Sequence, residues 1–319
     1  MLYRSRGKVD GRKLAFVALV CGGYALFLEL KSLEESRREG WWRQKTESQP
    51  KVKRNNSGAK NMLIDYNRRF GTERLKVNPN NVDSIKTWYT ALAMIDWYLD
   101  IGVESLKCED KQMYDFWSFC QETKFSVQSP CIVYSFGLRI HFEFEDRFAH
   151  LGCVVKSFDP SINISGRIKS PNVDFYNIGI GAVNTNVYMP TQPAARTTRK
   201  KGPWKLRTLR TILQMQGHQN KILDVLKIDI KSNLWVVLDN ILETGAWRQI
   251  RHLLLEFNLY PTHPHKEDYV ILYRMLTRLR EVGFIEYYRS PSSDMVLEDE
   301  SVYLHRRVSY YNSHLVLDS

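Results

Sequence analysis

Four residues that could bind or react with a ligand stand at the ends of apolar runs. Gly137 follows CIVYSF, Asp159 follows CVVKSF, Asp229 lies near the end of LDVLKIDI, and Glu256 lies in HLLLEF. Glycine lets the backbone approach a ligand closely, and an aspartate accepts hydrogen bonds from both hydroxyls of a ribose. Gly137 and Asp159 therefore predict a nucleoside site. A simple turn at Gly137 and a turn-forming aspartate before Pro160 are the alternative interpretation.

The apolar runs alternate with segments of helical periodicity, and this alternation predicts the fold class. Strands are predicted over 131–136, 153–158, 173–180, 223–230, 252–257, 284–288 and 302–311, and helices follow the first run and cover 206–215, 234–242 and about 266–282. Such a pattern forms a doubly wound, mostly parallel α/β sheet, and the last two strands, with little helix between them, predict one antiparallel edge strand. Ligands bind such a sheet beyond the carboxyl ends of its strands.

Two further helices are predicted before the first strand. Apolar residues recur at helical spacing from Ile85 to Leu99, behind a cap-competent Asp83 or Ser84. The second helix is predicted from the spacing of Met113, Phe116, Trp117 and Cys120. We expect both helices to cover the sheet.

Several motifs in collinear order resemble the methyltransferase-like protein 24 family. They are SPCIVYSFG at 129–137, FEDRFAHLGCVVKSFDPS at 144–161, WKLRTL at 204–209, GH at 217–218, DVLKIDI at 224–230 and LLLEF at 253–257. The resemblance covers about 88–312 and implies a seven-stranded class I methyltransferase fold that binds S-adenosylmethionine. It implies that Gly137 lies under the methionine portion of this cofactor, with Ser135 in the same motif, that Asp159 binds the ribose and that Asp229 lies beside the methyl-transfer cleft.

Methyl transfer requires little covalent chemistry from the protein, because a sulfonium is already an activated electrophile. An acceptor atom must be aligned with the methyl group, and a nearby base must take its proton. Asp229 is the predicted base, with His218 and Glu256 as the next candidates. No metal is predicted to take part.

Three stretches depart from the family pattern. Leu138 to His141 stand where the family usually has Gly-Ile followed by polar and acidic residues such as Asn-Asp. Lys231 and Ser232 stand in place of Glu-Gly, and Asn258 stands in place of a histidine. At an effective dielectric of about 20, a lysine about 6 Å from the sulfonium would repel it by roughly 3 kcal/mol, unless the side chain turns to solvent. A divergent, non-catalytic binding protein of the same fold is therefore the alternative to an active enzyme.

The N-terminus carries an apolar run behind a basic flank. Residues 14–28 contain no charged residue, and five Lys or Arg residues precede them. The run is shorter than the roughly 20 residues of a membrane span, but no strong signal cleavage site follows it. We predict a basic cytosolic tail over 1–13, a signal-anchor over 14–30, a stem over 31–81 and a domain over 82–319 that faces the Golgi or endoplasmic reticulum lumen. A secreted protein is the alternative.

The cysteines are compatible with this compartment. Cys108, Cys120, Cys131 and Cys153 form an even set outside the apolar run, and four cysteines allow three pairings. Buried free thiols are the alternative. No Cys-x-x-Cys pair indicates a metal or redox site.

Composition and charge narrow the function further. With 43% hydrophobic residues and only 17 Gly and 11 Pro, the chain is neither collagen-like nor wholly disordered. The formal net charge is +11, and one basic cluster, which includes Arg199, Lys200, Lys201 and Lys205, is expected either to hold an anionic methyl acceptor or to form a solvated loop. A lumenal domain would not meet nucleic acid. A type II Golgi glycosyltransferase is a third function, weakened because the chain has no Asp-x-Asp motif.

Overall fold

A computed structural model describes the chain over 87–100, 108–138, 142–162, 173–190, 202–260, 263–290, 295–296 and 302–315. The predicted tail, signal-anchor and stem lie outside these described residues. None of the helices found within these ranges is long and apolar enough to cross a membrane.

The segment before the sheet contains helix α1 (Trp88–Asp100) and a hairpin of β1 (Lys111–Tyr114) and β2 (Trp117–Cys120). The predicted second helix is therefore wrong. A two-residue turn joins the strands, with Asp115 at a left-handed φ of 54°. Of the apolar residues that a helix would place on one face, Met113 therefore lies on β1, Phe116 in the turn, and Trp117 and Cys120 on β2. Tyr114 and Phe119 stack across this hairpin with ring centroids 5.2 Å apart.

The remaining elements alternate between strands and helices as predicted, except for a run of strands from β5 to β8. They are β3 (Ile132–Phe136), α2 (Glu143–His150), β4 (Val154–Phe158), β5 (Val173–Tyr176), β6 (Gly179–Ile180), β7 (Thr185–Tyr188), β8 (Trp204–Arg207), α3 (Leu209–Met215), β9 (Leu223–Ile228), α4 (Leu234–Glu243), β10 (Ile250–Leu259), α5 (Tyr269–Glu281), β11 (Phe284–Arg289), β12 (Met295–Val296) and β13 (Val302–Asn312).

Seven strands form the main sheet in the order β11-β13-β10-β9-β3-β4-β5, and the short β12 pairs with β13. The pairs from β10 to β5 are parallel, whereas β13 runs antiparallel to both β10 and β11. The predicted mixed, seven-stranded α/β sheet is confirmed. The reversed strand is not at the edge, however, because β13 lies between β10 and β11.

A second, three-stranded sheet interrupts the segment between β5 and β9, in the order β6-β8-β7. The predicted strand over 173–180 accordingly splits into β5 and β6, and the helix predicted from Leu206 begins at Leu209. Thr208 sets this start, because its backbone is extended and its hydroxyl accepts a hydrogen bond from the backbone N–H of Thr211 at 3.2 Å. We call residues 179–207 the insert.

The four cysteines of the domain form two disulfides. Cys108 bonds to Cys120 beside the hairpin, and Cys131 bonds to Cys153. The second bond joins the residues just before β3 and β4, at the sheet edge opposite the carboxyl ends of these strands. The structure therefore selects one of the three possible pairings, and the alternative of buried free thiols is wrong.

Candidate active site

The loops after β3 and β9 meet at Gly137 and Asp229. The backbone N–H of Asp229 donates to the carbonyl of Phe136 at 2.9 Å, and that of Gly137 donates to Phe158 at 3.1 Å. Gly137 has φ +81°, and a Cβ atom built on it would lie 1.8 Å from the carbonyl oxygen of Asp229. Only glycine allows this approach, so the adjacent strand ends form one continuous edge.

Asp159 ties the end of β4 to the loop that follows Gly137. Its Oδ2 accepts the backbone N–H of Leu138 at 2.8 Å, and its Oδ1 accepts both the backbone N–H of Ser161 at 2.8 Å and the Ser161 hydroxyl at 2.6 Å. Burial raises the pKa of Asp159, and these hydrogen bonds oppose the rise. The turn-forming role is thus confirmed. An ionised carboxylate accepts about four hydrogen bonds, so three leave room for one ligand hydroxyl.

Glu256, on β10, is fully buried among donors. Its Oε1 accepts from Lys231 Nζ at 2.8 Å and from Asn258 Nδ2 at 3.2 Å. Its Oε2 accepts from Arg307 Nε and Nη2 at 3.0 and 2.9 Å, and His305 Nε2 lies 3.1 Å away. Burial alone would raise the pKa of Glu256, but the hydrogen bond with His305 and the charge of Lys231 contribute to an opposing effect that outweighs burial and lowers the pKa. Glu256 is therefore a carboxylate at neutral pH.

Asp229 shares its ammonium partner with Glu256. Lys231 Nζ lies 3.5 Å from Asp229 Oδ1, and only 9% of the Asp229 side chain is exposed. Burial and the neighbouring Glu256 carboxylate raise the pKa of Asp229 to about 6, while Lys231 opposes the rise. The two acids thus differ in kind, because Glu256 stays ionised while Asp229 exchanges a proton close to neutral pH.

Lys231 takes neither of the two positions expected from the sequence. It does not stand as a lone cation, and it does not turn fully to solvent, since it bridges Asp229 and Glu256 with 27% of its side chain exposed. Burial would lower its pKa, but the two carboxylates outweigh burial and raise it. The repulsion expected for a cationic ligand is therefore largely offset by these acids. Its φ of 60° is left-handed, a conformation that is uncommon for residues other than glycine.

The raised pKa of Asp229 predicts how stability varies with pH. The folded value of about 6 exceeds the unfolded value of about 3.9, so the folded protein binds more protons in this window and loses stability as the pH rises through it. Asp229→Asn cannot ionise and is expected to be more stable than the parent by about 2 to 3 kcal/mol at about pH 8, but not at about pH 4. Urea unfolding at both pH values measures this difference. Asp239→Asn, on the exposed face of α4, is the control. If Asp229→Asn differs from the parent in stability by the same amount at both pH values, the raised pKa of Asp229 is contradicted.

Ser135 lies within β3, two residues before Gly137, and is fully buried. Its hydroxyl donates to Glu145 Oε1 on α2 at 2.5 Å and accepts from Lys227 Nζ at 3.3 Å, and all three residues are buried. Lys227 also lies 3.3 Å from Glu145 and 4.7 Å above the ring centroid of Phe144. Ser135 therefore supports the loop from within the core, and its predicted contact with a cofactor stays a prediction.

His218 lies beside the middle of β3. Its Nδ1 lies 2.8 Å from the hydroxyl of Tyr134, in the middle of β3, and burial and nearby lysines lower its pKa. The structure thus brings Asp229 and Glu256 together, whereas the His218 imidazole contacts the Tyr134 hydroxyl on the sheet. A catalytic role for His218 stays a prediction that this geometry does not favour.

The sequence analysis missed the contribution of β13 and the hairpin. Arg307 pairs with Glu256 in register, and its guanidinium stacks 4.8 Å from the ring centroid of Phe116 at the hairpin turn. His305 contacts the same carboxylate. A buried glutamate predicted within a strand was the available signal, because such a charge requires cationic partners on a neighbouring strand.

Comparison with known proteins agrees with this architecture. A family model described as a methyltransferase domain matches residues 94–295, well over half of the chain. The chain belongs to this family. Probable methyltransferase-like protein 24 from Homo sapiens is 29% identical over 168 residues, which cover 50% of this chain and 43% of that protein. The protein of the same name from Rattus norvegicus is 28% identical over 168 residues.

The resemblance predicted from the motifs is therefore confirmed. The chain spans less than half the length of the curated relatives it matches. No solved structure matches it.

Proposed function

We propose that this methyltransferase-family protein transfers a methyl group from S-adenosylmethionine to an acceptor held beside Asp229. The observation that carries the proposal is the edge where Gly137, Asp159 and Asp229 follow three adjacent parallel strands. The residues fit the cofactor in chemistry, because Asp159 keeps hydrogen-bonding capacity for a hydroxyl and Asp229 offers a carboxyl group to a cation. When bound, the cofactor would supply an activated methyl electrophile.

Asp229 is the proposed base for the proton of the acceptor. Its pKa of about 6 lets it accept a proton at neutral pH and release it again, which suits a general base. Glu256 is the proposed positioning residue, since its fixed charge raises the pKa of Asp229 and its ion pair orients Lys231. Gly137 and Leu138 would shape the floor of the site, since Asp159 accepts the backbone N–H of Leu138 and the Phe158 carbonyl accepts that of Gly137.

Isothermal titration of the purified full-length chain with S-adenosylmethionine and with its demethylated product tests this proposal. We expect both ligands to bind saturably at one site. Because a bound sulfonium favours the ionised form of Asp229, binding of S-adenosylmethionine near pH 6 should release protons, whereas binding of the uncharged product should release fewer. Repeating the titration in buffers of different ionisation enthalpy measures this release. If neither ligand binds, the proposed function is contradicted and the non-catalytic alternative is favoured.

The non-catalytic alternative rests on a specific feature, the Lys231 ammonium between the two acids. This ion pair could serve structure alone in a protein that has lost its cofactor. The glycosyltransferase alternative has no comparable support, because the chain belongs to a methyltransferase family.

The secretory lumen is the proposed location. Two disulfides within one domain support an oxidising compartment, and the basic flank before the apolar run supports insertion with a cytosolic N-terminus. We expect the domain to be protected from added protease in intact microsomes and to resist extraction by alkaline carbonate. Extraction by carbonate, or a mature N-terminus beyond residue 30, would favour the secreted alternative, and protease sensitivity would contradict a lumenal domain.

A further inference from the structure

Most of the excess positive charge lies in one part of the chain. Between Asp174 and Asp224 the sequence contains no acidic residue, although it contains eight basic ones. They are Arg196, Arg199, Lys200, Lys201, Lys205, Arg207, Arg210 and Lys221. This stretch includes the whole insert, and its net charge of +8 compares with +11 for the entire chain. A stretch of chain with this net charge attracts anionic partners.

One face of the insert combines a cation with exposed apolar side chains. On β8, Trp204 and Leu206 are buried, so Lys205 lies on the opposite, exposed face. Thr185 pairs with Leu206 and Tyr188 with Trp204, which leaves two residues of β7 opposite Lys205 in a β-bulge.

The bulge presents apolar side chains to solvent beside this lysine. Val187, in the bulge, is 71% exposed, and Met189, just after β7, is 60% exposed. Arg207 holds the bulge, since its guanidinium donates to the carbonyl of Thr185 at 2.9 Å and to Asn186 Oδ1 at 2.7 Å. We call Val187, Met189 and Lys205 the insert face. All three side chains are exposed among the residues that the structure describes.

The insert adjoins two loops of the candidate active site, those after β9 and β4. The Tyr188 hydroxyl donates to Asn233 Oδ1 at 3.0 Å, two residues after Lys231. On the other side, a Cβ atom on Gly179 would lie 2.9 Å from Pro160 Cγ, next to Asp159. The Asn240 side chain on α4 also donates to the carbonyl of Ala182 at 3.0 Å. A macromolecule bound to the insert is therefore brought beside the reacting edge of the sheet.

We propose that the insert face binds an acidic polypeptide segment and thereby delivers the methyl acceptor to the site, an inference that rests on the proposed function. The positive charge of the stretch between Asp174 and Asp224 favours a partner of negative charge. The exposed Val187 and Met189 favour a polypeptide over an acidic polysaccharide, because apolar side chains gain from contact with other apolar side chains. Rim charges of this kind mainly steer association and lose strength in salt.

Fluorescence anisotropy of the full-length chain with a labelled peptide that alternates Glu and Val tests the inference. A peptide with Lys in place of Glu and a heparin oligosaccharide are the comparison probes. We expect Lys205→Glu to weaken binding of the acidic peptide about tenfold and Val187→Ser to weaken it about threefold, since each removes one favourable contact. Lys221→Glu is the matched control, because Lys221 belongs to the same acid-free stretch but precedes the amino end of β9. It should change the affinity less than about twofold.

The outcomes separate the inference from the proposed function. If S-adenosylmethionine binds the parent and Lys205→Glu equally while the acidic peptide fails to bind the parent, the inference is overturned and the function stands. If heparin binds tightly and loses affinity with Lys205→Glu but not with Val187→Ser, the partner is a polysaccharide and the polypeptide assignment is overturned. Equal losses for Lys205→Glu and Lys221→Glu would also overturn it, because general charge attraction would then explain binding.

Discussion

Gly137→Ala is expected to lose both stability and cofactor binding. Alanine at φ +81° is strained, and its Cβ would lie 1.8 Å from the backbone oxygen of Asp229, which cannot move without shifting the end of β9. We expect a loss of more than about 3 kcal/mol in the free energy of unfolding, the sum of backbone strain and displaced strand ends. Urea unfolding measures the stability, and titration with S-adenosylmethionine measures the binding.

Gly217→Ala is the matched control for this substitution. Gly217 has a similar φ of +68°, but a Cβ atom there meets nothing within 4 Å. Its loss should be limited to the left-handed strain of about 1 kcal/mol. The difference between the two variants therefore isolates the contact with Asp229. If both variants lose the same stability, the loops after β3 and β9 can separate and the edge is not held by close approach.

Glu256→Gln is expected to destabilise the fold by about 3 to 5 kcal/mol, because it leaves buried cationic groups without their counter-charge. Arg307 and Lys231 would lose the carboxylate to which they now donate. Glu243→Gln is the matched control, since its ion pair with Arg278 is 47% and 40% exposed, and it should cost less than about 1 kcal/mol. Chemical denaturation of both variants at neutral pH makes the comparison.

The same substitution should also change the titration of Asp229. Without the Glu256 carboxylate, one cause of the raised pKa disappears, so the pKa of Asp229 should fall. The gain in stability from Asp229→Asn at about pH 8 should then be smaller in the Glu256→Gln background than in the parent, and urea unfolding of the four proteins isolates this difference from the titration of Glu256 itself. An unchanged gain would mean that Glu256 does not tune the pKa of the proposed base.

The strand ends were predictable from the sequence because each apolar run stops at a residue with a different backbone or solvation requirement. Gly137, Asp159 and Asp229 stand at those stops, and the parallel pairing of β3 with β4 and β9 brings them together. Local patterns sufficed here, since the register of adjacent buried strands follows from burial of their faces.

Features that depend on distant pairing were not predictable in this way. The contact of Glu256 with Arg307 joins residues 51 positions apart, and it exists only because β13 enters between β10 and β11. The hairpin was mistaken for a helix because the spacing of Met113, Phe116, Trp117 and Cys120 also fits a helix. The two-residue turn that places Trp117 opposite Tyr114 leaves no mark on that spacing. Periodicity likewise cannot tell which face of the sheet receives His218, because that depends on how α3 packs.

The bond between Cys131 and Cys153 has a consequence for the alignment of the site. The two residues precede strands whose pairing runs level from Ile132 with Val154 to Phe136 with Phe158. A slip of one residue would turn every side chain of a strand to the other face and leave Asp159 out of step with Gly137. The disulfide at the amino ends of β3 and β4 thus helps to fix the register of their carboxyl ends. Because this disulfide forms only under oxidising conditions, the redox state of the compartment affects how the residues that would bind a ligand are aligned.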